Sequence, residues 1–128
     1  MLIMEKCVGL IGFYSEEISG LKSRLEGLGC VVNSFPADLT VGEYLQRVKE
    51  NPQDLYILGD RIKGSNLDML KALKPDSRSE EPYVLMFSHK GDDNDIFTAW
   101  SRGVDAYFVM PNIRDVINAA NRIFSSED

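Results

Sequence analysis

Asp54-Leu55-Tyr56-Ile57-Leu58-Gly59-Asp60 is the stretch on which the reading of this sequence turns. Four apolar residues, opened by an acid and closed by glycine, are short for a helix. They fit a strand buried on both faces, the kind found in parallel sheets. In open parallel sheets, chemistry collects just beyond the carboxyl ends of the strands. Gly59, Asp60 and Arg61 therefore stand where function is expected, and they offer a glycine and a single acid.

Working outward, the segments on either side alternate strand with helix. Cys7-Val8-Gly9-Leu10-Ile11-Gly12-Phe13 reads as a first strand. Ser15, Glu16 and Glu17 then open a helix with Ile18, Leu21, Leu25 and Leu28 at helical spacing, closed by Gly29. Cys30 through Phe35 is a second strand. Thr40-Val41-Gly42-Glu43 is a capping box opening a helix that carries Val41, Tyr44, Leu45 and Val48 inward and stops near Asn51-Pro52. Past Asp60, a loop with Gly64 leads to a short helix capped by Ser65 or Asn66, with Leu67, Leu70 and Leu73 on its inner side. Pro82 to Ser88 is a fourth strand.

The acid-rich segment Asp92-Asp93-Asn94-Asp95 opens a fourth helix carrying Ile96, Phe97, Ala99 and Trp100, ended by Gly103. Asp105 to Val109 is a fifth strand, ended by Met110-Pro111, and Ile113 to Phe124 is the last helix. Five strands alternating with five helices on short connections call for right-handed crossovers and a sheet covered on both faces. The fold expected is a doubly wound three-layer α/β/α sandwich with a five-stranded parallel sheet in flavodoxin-like order 2-1-3-4-5. It forms one domain over residues 1–128, with an ordered core of about 5–124 and a tail at 125–128.

Composition narrows function. A net charge of −6 argues against nucleic acid as a direct partner. No apolar run approaches a membrane span, and Glu5 and Lys6 interrupt Met1-Leu2-Ile3-Met4 before a signal-peptide core forms. The chain reads as cytoplasmic. Cys7 and Cys30 lack metal-ligand spacing and read as small buried hydrophobes; they fall on neighbouring strands, but a reducing compartment disfavours a disulfide. Gly9 and Gly12 do not make a dinucleotide fingerprint, because Ser15 and Glu16 stand where a glycine-rich turn is needed.

Three segments together resemble the receiver domain of two-component response regulators. Leu25 to Val32 is similar to that family's passage from first helix to second strand. Asp54 to Gly59 is similar to its Asp-Leu-Val-Leu-Leu-Asp strand, and Gly103 to Pro111 to its Gly-Ala-Asp-Asp-Tyr-Leu-x-Lys-Pro segment. The resemblance implies a phosphoryl group accepted by an Asp ending the third strand, magnesium held by acids ending the first, and a Ser or Thr and a Lys holding the phosphoryl oxygens. Those positions fall here on Gly59, on Gly12 and Phe13, on Ser88 and on Met110. Only Ser88 keeps its chemistry. A divalent ion needs carboxylate oxygens, and a transferring phosphoryl needs its charge neutralised. The chain therefore resembles a degenerate pseudo-receiver, and no metal or cofactor is expected.

Asp60 lies one residue beyond the acceptor position, and a one-residue slip turns a strand side chain to the opposite face. Asp92 and Asp93 read as a solvated helix cap rather than as cation ligands. The resemblance further implies a switch role for Tyr107 coupled to Ser88, against which stands a tyrosine that merely packs at a strand end. It also implies a cis peptide before Pro111. His89 reads as a surface residue. Trp100 is either an interface anchor or a core residue on a stripe with Ile96 and Ala99; spacing favours the core.

The function expected is a non-catalytic signal-transduction module acting through a protein partner (a signalling kinase, an effector or a fused output domain) without aspartate phosphorylation. A homodimer through the fourth helix, fifth strand and fifth helix is part of that expectation. Two alternatives remain open: an atypical phosphoacceptor using Asp60 in a phosphorelay, and a flavodoxin-like binder of a nucleotide or flavin.

Overall fold

The computed structural model describes residues 5–125, so Met1 to Met4 and the tail residues 126–128 lie outside the described part. The elements follow in chain order as β1 (Cys7–Ile11), α1 (Ser15–Gly27), β2 (Val31–Ser34), β3 (Leu39–Thr40) and α2 (Val41–Glu50). Next come β4 (Leu55–Leu58), β5 (Ile62–Lys63), α3 (Asn66–Leu73) and β6 (Tyr83–Ser88), then α4 (Asp93–Ser101), β7 (Ala106–Val109) and α5 (Ile113–Ser125). The main sheet is parallel in the order β2-β1-β4-β6-β7, which is 2-1-3-4-5 when its strands are numbered among themselves.

Alternation along the strands builds both sides of this sandwich. Leu55 and Ile57 of β4 face one core with Val8, Leu10, Leu85 and Phe87, covered by α1 and α5. Tyr56 and Leu58 face a second core with Val84 and Met86, covered by α2, α3 and α4. A strand buried on both faces has no polar side to show, which is why its sequence is an unbroken apolar run. Cys30 belongs to the first core together with Val8, and both cysteines are free thiols.

Several local expectations need correction. Tyr14, not Ser15, is the N-cap of α1, and its N–H donates to Glu17 Oε1 at 2.8 Å. In α2 only Tyr44 is fully buried; Val41, Leu45 and Val48 are half-buried. The second strand is shorter than its apolar run, because Phe35 leaves it for the second core. A two-stranded parallel sheet, β3 with β5, lies beyond the main sheet and pairs Leu39 with Ile62 and Thr40 with Lys63. Two residues per strand are too few to leave a periodic signal. Tertiary anchors hold this pair: the buried Tyr44 hydroxyl donates to the Pro36 carbonyl at 2.6 Å, and Asp38 N–H donates to the Arg61 carbonyl at 2.8 Å.

Candidate functional site

The carboxyl ends of β1, β4 and β6 meet at one rim. β1 runs out through Gly12, whose φ of 84° lies in the left-handed region that favours glycine. The turn sends Phe13 back into the first core, where it is 3% exposed and its ring lies 6.3 Å from that of Phe87. The Phe13 ring covers Gly59. A Cβ on Gly59 would come within 2.5 Å of both the ring and the Gly12 carbonyl oxygen. No side chain fits at Gly59 while Phe13 keeps this position, because real contacts never come so close.

Asp60 turns to the other side. The slip does reverse its side chain relative to Gly59, but that is the side on which Ser88 stands, in step with Val84 and Met86. The reversed side chain thus still reaches the rim, on the side of Ser88. Ser88, fully buried, donates its hydroxyl to Asp60 Oδ1 at 2.6 Å. The His89 N–H donates to Oδ2 at 2.7 Å, His89 Nδ1 lies 3.1 Å from the same oxygen, and Asn66 Nδ2 donates to Oδ1 at 3.1 Å. Burial pushes the Asp60 carboxyl up, yet the His89 N–H, the Ser88 hydroxyl and the imidazole outweigh it and hold the carboxyl below the usual range.

The contacts continue in both directions. Ser88 Oγ also accepts the Lys90 N–H at 3.0 Å, and the Lys90 carbonyl accepts the Tyr107 hydroxyl at 2.7 Å. Tyr107 packs half-buried against the second core. A chain of hydrogen bonds thus joins Asp60 to Tyr107 through Ser88 and the backbone of Lys90. On the opposite flank, His89 Nε2 lies 4.0 Å from Glu17, and Glu17 pairs with Arg61 at 3.4 Å. The Arg61 guanidinium lies 4.6 Å above the Tyr14 ring.

Magnesium does not fit this set. Gly12 and Phe13 bring no side-chain oxygen, and among the described residues no three His, Cys, Asp or Glu side chains converge as metal ligands. Asp60 lies 3.1 Å from His89 Nδ1 and Glu17 4.0 Å from its Nε2. Met110 is half-buried against the first core. The peptide before Pro111 is cis, as is the one before Pro82. Asp92 caps α4 by accepting the Asp95 N–H at 2.8 Å.

The face of α4 carries the second set of candidates. Trp100 is 53% exposed and Phe97 75%, so the core placement favoured for Trp100 is wrong. Of this helix, Ala99 alone is fully buried, and the aromatic pair lies one turn apart on the outside. Val109, at the end of β7, is also exposed.

Solved structures with this architecture are numerous. The Francisella response regulator 1452 receiver domain superposes with a TM-score of 0.80 at 16% identity, covering 97% of this chain and all of that one. A putative response regulator from Chloroflexus aurantiacus gives 0.78 at 18% identity, with 94% and 98% covered. A two-component response regulator from Clostridium difficile gives 0.76 at 17%, with 95% and 97% covered. The chain has the receiver-domain fold. No protein-family model matches the sequence, and no curated protein does.

On this receiver fold, Gly12, Phe13, Gly59, Asp60 and Ser88 come together, while Met110 stays with the core. Asn66 and His89 complete the partners of Asp60, and sequence reasoning missed both in that role; the Glu17–Arg61 pair flanks them beyond His89. Their spacing along the chain carries no signal, because a carboxylate's hydrogen-bond donors are assembled from loops.

Proposed function

We propose that this chain is a signal-transduction module that works by protein contact without phosphorylation, with the Asp60 carboxylate standing permanently in for a phosphoryl group. One observation carries the reading. The resemblance gives the hydroxyl after the fourth main-sheet strand the task of holding phosphoryl oxygens, and here that hydroxyl, Ser88, is held by a carboxylate of the chain itself at 2.6 Å. A carboxylate presents the charge and acceptor oxygens that such donors bind. The hydrogen-bond chain to Tyr107 then supports a permanently engaged switch, and Phe97 and Trp100 offer the surface for a protein partner (a kinase, an effector or a fused output domain). A second copy is an alternative occupant of that face.

Phe13 and Gly59 support the absence of phosphotransfer, since the acceptor position has no room for a side chain. The decisive experiment incubates the protein with magnesium and acetyl phosphate and weighs it intact. No mass gain is expected. The same Asp60–Ser88 contact supports a second reading, Asp60 as an atypical acceptor in a phosphorelay. A phosphoryl mass gain that disappears in Asp60→Asn would favour that reading and overturn the first.

A further inference from the structure

A cavity of about 420 Å3 opens at the amino ends of β4 and β6, across the sheet from the rim. Leu45 and Val48 of α2 and Ala72 and Leu73 of α3 wall it, and the ring of Tyr56 lies among them. Its volume is within the range of small-molecule sites, which runs from about 300 to 1,000 Å3. Two features give the chemistry of its occupant. Tyr56 is 1% exposed; its hydroxyl accepts the Gln53 N–H at 2.9 Å, and no described hydrogen bond takes its own hydrogen. The hydroxyl hydrogen is thus left for an oxygen of an occupant, which would gain one hydrogen bond there. Both charged side chains that line the cavity, Asp54 and Glu81, are carboxylates.

From this geometry we propose that the cavity binds a small hydroxylated aralkylamine. Its ring lies between α2 and α3, its oxygen accepts the Tyr56 hydroxyl proton, and its ammonium faces Asp54 and Glu81. Apolar walls alone take any hydrophobe. The carboxylates select a cation, and the tyrosine selects an oxygen-bearing ring over a bare one. The site is separate from the Asp60 rim, and this assignment does not depend on the signalling reading.

Tyramine is the probe, titrated into the full chain and followed by methyl NMR. Saturable shifts confined to Leu45, Val48 and Leu73 are expected, with the first-core methyls unmoved. Phenethylamine, lacking the hydroxyl, is expected to bind about fivefold more weakly, the loss of one ordinary hydrogen bond. The isosteric acid 3-(4-hydroxyphenyl)propionate is expected to bind at least about tenfold more weakly, its charge facing two carboxylates. Tyr56→Phe is expected to erase the preference for tyramine over phenethylamine, and Ala72→Phe to fill the cavity and abolish binding. Should Ala72→Phe fail to fold, Glu81→Gln at an exposed position reads the charge selection as a severalfold loss of tyramine affinity. No saturable shift with tyramine, shifts centred elsewhere, or equal affinity for amine and acid would each overturn the assignment. So would a preference that survives Tyr56→Phe, or a Glu81→Gln variant that binds tyramine unchanged.

Discussion

Gly59 and Phe13 are two halves of one packing decision. The ring occupies the space that a side chain at position 59 would need. Gly59→Ala is expected to cost about 2 kcal/mol by overpacking, and Phe13→Ala about 3 kcal/mol through the cavity it leaves. In the double variant the cost should fall short of the sum, because the smaller ring site relieves the alanine. Urea denaturation of the three variants checks this, and simple additivity would contradict it.

Asp60 makes a different prediction, through pH. Its folded-state carboxyl is held below the value of an unfolded chain, so its contribution is fully present above the unfolded pKa of about 3.9 and fades as pH falls through the folded value. Asp60→Asn should cost about 1–3 kcal/mol at neutral pH, since the Ser88 hydroxyl and His89 N–H lose a charged acceptor. That gap should narrow steadily in acid. Denaturation midpoints of both proteins from neutral to strongly acid conditions check the sign, and a constant gap would refute it.

At the scale of elements, two buried polar groups hold pieces that apolar packing alone leaves loose. Tyr44 of α2 places its hydroxyl between the carbonyls of Pro36 and Arg61, at 2.6 and 3.3 Å, and so ties β3 and β5 to the main body. Tyr44→Phe should cost about 1 kcal/mol and more where the carbonyls stay dry, with faster amide exchange at Asp38. At the end of α3, Lys74 is buried and pairs with Asp105 at 3.1 Å, while Asp105 also accepts the Val84 N–H. Lys74→Met should cost about 3 kcal/mol, because it leaves a partly buried carboxylate without its cation. Adding Asp105→Asn should recover part of the loss, which thermal melts of the single and double variants would show.

Over the whole molecule, Phe97 and Trp100 expose large rings on α4 that the fold does not need. Exposed Trp residues of this kind carry binding energy in interfaces. Replacing both, as Phe97→Ser and Trp100→Ala, should leave stability within about 0.5 kcal/mol of the parent. Capture of a protein partner, or self-association seen by size-exclusion chromatography, should be lost. Unchanged capture and unchanged elution together would remove this helix from the partner surface.

How much of this was legible in the chain depends on how local each signal is. Strand order and layering followed from the short apolar runs at β1, β4 and β6 alternating with helical stripes, because a parallel sheet covered on both sides leaves few other arrangements. That Gly12, Phe13 and Gly59 carry no acid could likewise be read directly, residue by residue. The placement of Trp100 was misread from spacing, because a helical stripe does not say which side of the helix its neighbours cover. The β3–β5 pair was missed because two-residue strands have no period.

Residue order by itself therefore determined the sandwich and which chemical groups are absent from its rim, since both follow from local pattern and side-chain identity. Tertiary structure alone decided that Asp60, one step past Gly59, meets Ser88, His89 and Asn66. Those partners come from the start of α3 and from the end of β6 with the residue after it, and their meeting is fixed by strand register and turn geometry rather than by any spacing along the chain.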